Sequence, residues 1–101
     1  MDQRNLLERA LKLQEKLAQV QEELGNELVV GTAGGGAVEI TFNGQSNVQK
    51  VKIDPQAVDP GDVEALEDLL LAAIKDAQAK VVELSKARLG PLTGGLGITG
   101  F

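Results

Sequence analysis

The 101-residue sequence contains no cysteine, histidine, tryptophan or tyrosine, and only two phenylalanines. Without cysteine it can form neither a disulfide framework nor a thiolate zinc site. Without histidine, metal binding would depend on carboxylate and carbonyl oxygens, and the acidic spacing of a calcium loop is missing. The serines, threonines and lysines form no recognisable nucleophile and base arrangement. The sequence therefore predicts a protein that is not an enzyme and that uses no metal or cofactor.

The scarcity of aromatic residues also limits the possible ligands. Two phenylalanines provide no stacking platform for RNA or single-stranded DNA, which leaves contact with a duplex backbone. No apolar run approaches the roughly 18 residues of a membrane span, and we expect a cytoplasmic protein. Ten basic and fifteen acidic residues give a net charge of −5. That charge opposes a polyanionic partner unless the basic residues are segregated on one surface.

The N-terminal part of the chain has the heptad pattern of a helix with one narrow apolar seam. The seam consists of Leu6, Ala10, Leu13, Leu17, Val20 and Leu24. We predict a helix over residues 2–24, capped by Asp2 and ended by Gly25. At about 1.5 Å per residue this helix is about 35 Å long, whereas a compact domain of this size has a radius of gyration of about 13 Å. The helix should therefore project as an arm or lie against a second chain.

The middle of the chain changes to the two-residue period of strands. Strands are predicted over residues 28–32, 37–42 and 48–53, with turns at the glycines of 33–36 and at Asn43-Gly44. In the third strand Val51 and Ile53 should face the core, while Lys50 and Lys52 face solvent. Residues 54–58 form a connector, compatible with one helical turn.

A second helix is predicted over residues 60–89, with Asp59 as its cap, Pro60 as its first residue and Gly90-Pro91 at its end. Its broad apolar stripe, which includes Leu66 and Leu70, should cover the sheet. The fold class is therefore α+β, in the order α-β-β-β-α, as one domain over residues 1–89. Residues 90–101 are rich in glycine and uncharged, and we expect a flexible tail.

The basic residues fall into two sets. The first set lies on the first helix beside the seam, at spacings that share one face, and consists of Arg9, Lys12 and Lys16, with Arg4 one turn earlier. It suits contact with phosphates, but charges that merely flank a coiled-coil seam are the alternative. The second set lies near the end of the second helix and consists of Lys80, Lys86 and Arg88. For this set, a favourable interaction with the helix dipole is an equally good explanation.

Several short segments have an order and spacing that are more specific together than singly. They are LQEKL at 13–17, QEEL at 21–24, GGGAV at 34–38, FNGQ at 42–45, VQKVKIDP at 48–55 and EDLLLAA at 67–73. In this order the chain resembles the YbaB/EbfC family of small bacterial nucleoid-associated proteins. The resemblance implies a tweezer-like homodimer whose first helices are arms that straddle duplex DNA. It also implies a role in nucleoid organisation, extending to gene regulation, without a catalytic residue or cofactor.

Two functional hypotheses follow. In the first, a nucleoid-associated homodimer contacts the backbone of double-stranded DNA through both basic sets, with little readout of bases. Residues expected to hold the body and the dimer are Val51, Ile53, Leu66 and Leu70. In the second, the protein is an adaptor whose seam binds a partner helix, without DNA binding. Neither hypothesis involves a membrane or a small-molecule substrate.

Overall fold

The computed structural model describes residues 3–93. Helix α1 spans Gln3–Asn26, strands β1, β2 and β3 span Leu28–Ala33, Val38–Asn43 and Val48–Ile53, and helix α2 spans Val63–Thr93. One turn of 3-10 helix at Pro55–Ala57 links β3 to α2. The predicted α-β-β-β-α order is confirmed, as are the bounds of β3 and the helical turn in the connector. Neither described helix is long and apolar enough to cross a membrane.

The core lies between α2 and the sheet, an antiparallel meander with β2 in the centre. Alternate residues of β2 face α2, and Val38 and Ile40 are almost completely buried. Helix α2 packs on this face mainly over β1 and β2. Gly31 permits the contact, because a Cβ atom there would lie 2.2 Å from the carbonyl oxygen of Ala73. Helix α2 therefore covers β1 and β2, and β3 lies beside the covered area.

Strand β3 is the part of the sheet where the predicted burial is wrong. Val51 pairs with Ile40, and Ile53 pairs with Val38, so both face the α2 side of the sheet as expected. Nevertheless Val51 is 53% exposed, because α2 crosses the other two strands. Val51 is thus not a core residue of the single chain, whereas Ile53 is half-buried. Leu66 and Leu70 of α2 are also half-buried and pack against the core.

Helix α1 projects from the rest of the molecule, as its length predicts. The Cα radius of gyration is 19.1 Å and the longest dimension is 70 Å, far beyond the values of a compact domain. Leu24, near the C-terminal end, is the one residue of α1 that is buried, whereas Leu6 is 51% exposed. We call residues 3–23, the part of α1 that precedes the buried Leu24, the arm, and residues 24–93 the body.

The start of α2 differs from the prediction. Asp59 and Pro60 belong to a turn in which the amide of Asp62 donates to the carbonyl oxygen of Asp59. The carboxylate of Asp62 accepts a hydrogen bond from the amide of Ala65 at 3.2 Å and so caps a helix that begins at Val63. The Asp-Pro pair resembles a helix start in sequence, but the cap is the next aspartate.

Both helices also end later than predicted. Helix α1 continues through Gly25 to Asn26, while its predicted cap, Asp2, lies outside the described residues. Helix α2 continues through Gly90 and Pro91 to Thr93. Proline removes one helical hydrogen bond, and packing supplies most of a helix's stability in a protein. Residues 90–93, expected in a flexible tail, are therefore helical, and residues 94–101 lie outside the described part.

Candidate nucleic-acid interface

The first predicted set lies on the arm, and we call it the basic stripe: Arg4, Arg9, Lys12 and Lys16. All four residues are exposed. Within residues 3–93, no salt bridge engages Arg9, Lys12 or Lys16. Their spacing places these three on one helical face beside the seam. Because the arm stands away from the body, a large linear ligand can approach this face without obstruction.

Charge is segregated along the chain. Residues 3–18 carry four basic and two acidic side chains, a net charge of +2, although the whole protein has −5. The acidic residues of this stretch, Glu8 and Glu15, belong to a column on a neighbouring face of the helix. Local charge rather than net charge determines where a polyanion can approach closely. The outer part of the arm, residues 3–18, is therefore a basic segment of an acidic protein.

The second predicted set does not form one surface. Lys80 donates a hydrogen bond to the carbonyl oxygen of Val30 at 2.7 Å, and its Nζ lies 3.2 Å from the carboxylate of Asp76. Arg88 pairs with Glu23 of α1 and with Glu27, the residue between α1 and β1. Lys86 is exposed, and no salt bridge within residues 3–93 engages it. Two of the three cations are thus committed to contacts within the chain.

Asp76 is the partner of Lys80, and it was not identified from the sequence. Its Oδ2 atom accepts a hydrogen bond from the backbone amide of Thr32 at 2.9 Å. This bond and the hydrogen bond from Lys80 hold the pKa of the Asp76 carboxyl below its ordinary value of 3.8. Because β1 is an edge strand, the two side chains satisfy backbone groups that would otherwise face solvent. The sequence signal, an Asp and a Lys four residues apart, is common on helix surfaces.

The arm joins the body through the turn between β2 and β3 as well as through α2. The amide of Gly44 donates to the carbonyl oxygen of Leu24 at 2.8 Å. The side-chain amide of Gln45 donates to the carbonyl oxygen of Gln21 at 2.7 Å. The bond from Gly44 occupies the carbonyl group of Leu24, one of the last four of α1, which have no i+4 partner within the helix.

An apolar surface remains uncovered where β3 meets the margin of α2. Val48 is 57% exposed and Val51 is 53% exposed. Ile53 is half-buried on the same face of β3, and Leu66 and Leu70 of α2 are half-buried against the core that this face of the sheet forms. We call these five residues the apolar margin. Exposed aliphatic residues concentrated in this way are typical of protein interfaces.

Within residues 3–93 there is no cavity, and no cluster of acidic residues is arranged to hold a metal ion. Small ligands usually bind in concave, largely apolar pockets. The basic stripe and the apolar margin are instead extended surfaces, of the kind that contact macromolecules.

The chain is similar to several known proteins. The YbaB/EbfC DNA-binding family matches residues 1–96. A nucleoid-associated protein of Chloroflexus aurantiacus is 51% identical over 96 residues, which are 95% of this chain and 96% of that protein. One from Roseiflexus sp. is 46% identical over the full length of both chains. A crystal structure of an uncharacterized Helicobacter pylori protein matches with a TM-score of 0.76 and 26% identity, covering 86% of this chain and 91% of that one. The chain therefore belongs to the YbaB/EbfC DNA-binding family.

Proposed function

We propose that this protein is a nucleoid-associated protein that binds duplex DNA as a homodimer, mainly through phosphate contacts along the arm. The observation that carries the proposal is the net charge of +2 on residues 3–18 of a chain whose total is −5. Phosphate contacts require positive charge along an accessible line and no complementarity to base edges. Family membership and the names of the relatives support this function, which places the protein at the nucleoid in the cytoplasm.

The dimensions of the basic stripe suit a duplex. From Arg4 to Lys16 the helix rises about 18 Å, while duplex DNA carries one phosphate charge per roughly 1.7 Å of its axis. Each arm could thus contact several phosphates. Arg9, Lys12 and Lys16 are exposed on the face of the arm that would contact the phosphates. Binding through these side chains involves no catalytic step. Lys86 remains a secondary candidate, with Lys80 and Arg88 less suited because of their internal partners.

Dimerisation would cover the apolar margin. Val51 and Val48 are exposed in the single chain, and half-buried Leu66 and Leu70 continue the same surface. A second copy presents an identical surface, so a two-fold contact would bury both at once. A dimer with two arms would also bind DNA more tightly than one arm alone, because the second contact becomes intramolecular once the first has formed.

The adaptor hypothesis has its own supporting observation. Leu6, Leu7 and Leu11 are 51%, 61% and 49% exposed on the outer part of the arm. Such leucines could contact a partner helix. An adaptor of this kind would not bind DNA even at low salt concentration, so a DNA titration separates the two functions.

The test is fluorescence anisotropy with two unrelated duplexes over a range of salt concentrations. For DNA binding, log affinity should fall linearly with log salt concentration. The triple variant Arg9→Glu, Lys12→Glu, Lys16→Glu should bind both duplexes more weakly, and each phosphate contact that it removes should reduce the slope by roughly one. The variant Lys50→Glu, Lys52→Glu, Lys75→Glu has the same charge change at exposed positions on the body and is the matched control.

Failure of the wild-type protein to bind either duplex at low salt would overturn DNA binding and favour the adaptor. Equal reductions of affinity in the arm variant and the body control would mean that only total charge matters. A reduction restricted to one duplex would contradict backbone recognition, because phosphate contacts carry no sequence information directly.

A further inference from the structure

We infer that Arg88, predicted from the sequence to contact DNA, instead positions the arm by holding two carboxylates at its base. The inference rests on the proposed function, because it concerns how the basic stripe is held toward a duplex. Glu23 lies in the last turn of α1, Glu27 is the residue that links α1 to β1, and Arg88 lies near the end of α2. The guanidinium therefore joins α2 to the last turn of α1 through Glu23 and to the link at the base of the arm through Glu27.

The contact has the geometry of a two-carboxylate clamp. One terminal nitrogen of Arg88 lies 3.8 Å from Glu23 Oε2, and the other donates a hydrogen bond to Glu27 Oε1. Leu24, between the two glutamates in sequence, is 1% exposed. The second oxygen of Glu27 is buried and has no hydrogen-bond partner among the described residues. Without Arg88 the Glu27 carboxylate would lose its neutralising partner in a partly buried position, which is unfavourable.

The opposite side of the arm base is held by uncharged hydrogen bonds and by the packing of the buried Leu24 side chain. The turn after β2 contributes the bonds from Gly44 to Leu24 and from Gln45 to Gln21. The side chain of Asn43 adds a bond to the carbonyl oxygen of Gly25 at 3.3 Å. Without the clamp, α1 would remain attached at this turn and could pivot about it.

The length of the arm amplifies any pivot. Arg9 lies about 21 Å along the helix from Glu23, so a rotation of roughly 10° at the base moves Arg9 by about 4 Å. A displacement of that size exceeds the tolerance of a hydrogen bond to phosphate. The orientation of each arm at its base therefore determines whether the basic stripes of the two protomers in the proposed dimer can contact one duplex together.

Local charge argues against direct contact between Arg88 and DNA. One guanidinium faces two carboxylates, which leaves a net charge of −1 for the group of Arg88, Glu23 and Glu27. A phosphate approaching this group would be repelled rather than attracted. The basic stripe has no such compensation from salt bridges within residues 3–93 at Arg9, Lys12 or Lys16.

The decisive variant is Glu27→Gln. Removing an acidic residue from a DNA-binding protein raises its affinity if only long-range electrostatics are involved. The positioning role predicts the opposite sign, a roughly tenfold weaker affinity, because the clamp is broken. Glu22→Gln is the matched control: it has the same charge change, is exposed, and forms no salt bridge within residues 3–93. This control should bind DNA as tightly as the wild type or more tightly.

A charge exchange tests the pair directly. Arg88→Glu should weaken binding, and adding Glu27→Arg should restore part of the affinity at unchanged net charge. Circular dichroism defines a temperature at which all variants are folded. If Glu27→Gln strengthens binding while Arg88→Gln weakens it, Arg88 is a direct DNA contact and the inference is wrong.

A measurement without DNA separates this inference from the proposed function. Because the chain has no cysteine, spin labels can be attached at Gln14→Cys on the arm and Gln56→Cys on the body. Double electron–electron resonance on labelled chains diluted with unlabelled protein should give a broader distance distribution in the Glu27→Gln background than in Glu22→Gln. An unchanged distribution would overturn the positioning role, whether or not DNA binds. A broader distribution in a protein that fails to bind DNA would support the clamp and reject the proposed function.

Discussion

The packing of α2 on the sheet depends on a single residue without a side chain, Gly31. A Cβ atom at this position would lie 2.2 Å from the carbonyl oxygen of Ala73 and 2.3 Å from the amide nitrogen of Ala77. These are backbone atoms of α2, so they cannot turn aside as a flexible side chain could. The glycine therefore sets the distance between the helix and β1.

We expect Gly31→Ala to lower the free energy of unfolding by about 1–3 kcal/mol or more, because α2 must move away from the sheet. Gly90→Ala is the control, since nothing lies within 4 Å of a Cβ atom there. In a helix that change should be neutral or stabilising by up to about 1 kcal/mol. Urea denaturation of both variants measures the difference. Equal stabilities would show that the contact with α2 is not tight in solution.

Single residues also mark the limit of prediction from sequence. The two-residue period of the strand predicted over 37–42 places Val38, Ile40 and Phe42 on one face, and they form the core together with residues of α2. Lys80 and Arg88 were predicted as surface cations, but their partners are distant in sequence. Lys80 contacts a residue 50 positions away, and Arg88 contacts one 61 positions away. Periodicity identifies the face on which a residue lies, whereas such pairings depend on how the elements pack.

At the scale of elements, α2 does more than cover the sheet, because it also closes the edge of β1. The carboxylate of Asp76 accepts from the amide of Thr32, and Lys80 donates to the carbonyl oxygen of Val30. Unpaired groups along an edge strand can pair with another chain, and proteins commonly block them. The two side chains occupy part of this edge and favour association elsewhere on the sheet.

The Asp76 contact predicts a specific dependence of stability on pH. Because the hydrogen bond from Thr32 and then that from Lys80 lower the pKa of Asp76 in the folded protein, the folded state binds fewer protons than the unfolded state in acid. The stabilisation is therefore present above pH 3.8 and is lost as pH falls through the lowered pKa. Asp76→Asn should be less stable than wild type at neutral pH, and the difference should shrink in acid.

Urea midpoints from neutral pH into acid measure this difference. Asp68→Asn is the control, because Asp68 is exposed on the same helix and forms no salt bridge within residues 3–93. Its difference from wild type should stay small throughout. Parallel curves for Asp76→Asn and wild type would mean that the carboxylate does not stabilise the edge of β1.

The elements themselves were largely predictable from sequence, and their ends were not. The heptad seam indicated a projecting α1, and the alternation at 48–53 matched β3. The signals at Pro60 and at Gly90-Pro91 did not mark the ends of α2, which begins at Val63 and ends at Thr93. Asp62 provides a competing cap at one end, and at the other end the helix continues through Pro91 despite the lost hydrogen bond and the clash of the ring with the preceding turn.

At the scale of the whole molecule, shape and charge are organised along one long axis. The protein is 70 Å long but only 23 Å and 16 Å across. Residues 3–18 of the arm have a net charge of +2, while the complete chain has −5. If the protein binds DNA as proposed, this arrangement would direct the polyanion to the arm rather than to the body. Family membership predicts DNA binding, and the projecting α1 is the surface on which we propose that DNA binds.

The last prediction concerns the dimer, in which the exposed apolar margin would be covered. Val51→Lys should dissociate the dimer, because two-fold symmetry introduces the charge twice into one interface. Val82→Lys is the control: Val82 is 52% exposed, and its neighbour Val81 on α2 faces the core. Light scattering should give twice the chain mass of 10.6 kDa for wild type and Val82→Lys, and the single mass for Val51→Lys. DNA affinity should fall with dissociation, since one arm then binds alone. A wild-type protein with the single-chain mass at every concentration would contradict the dimer, and a dimeric Val51→Lys variant would place the interface elsewhere.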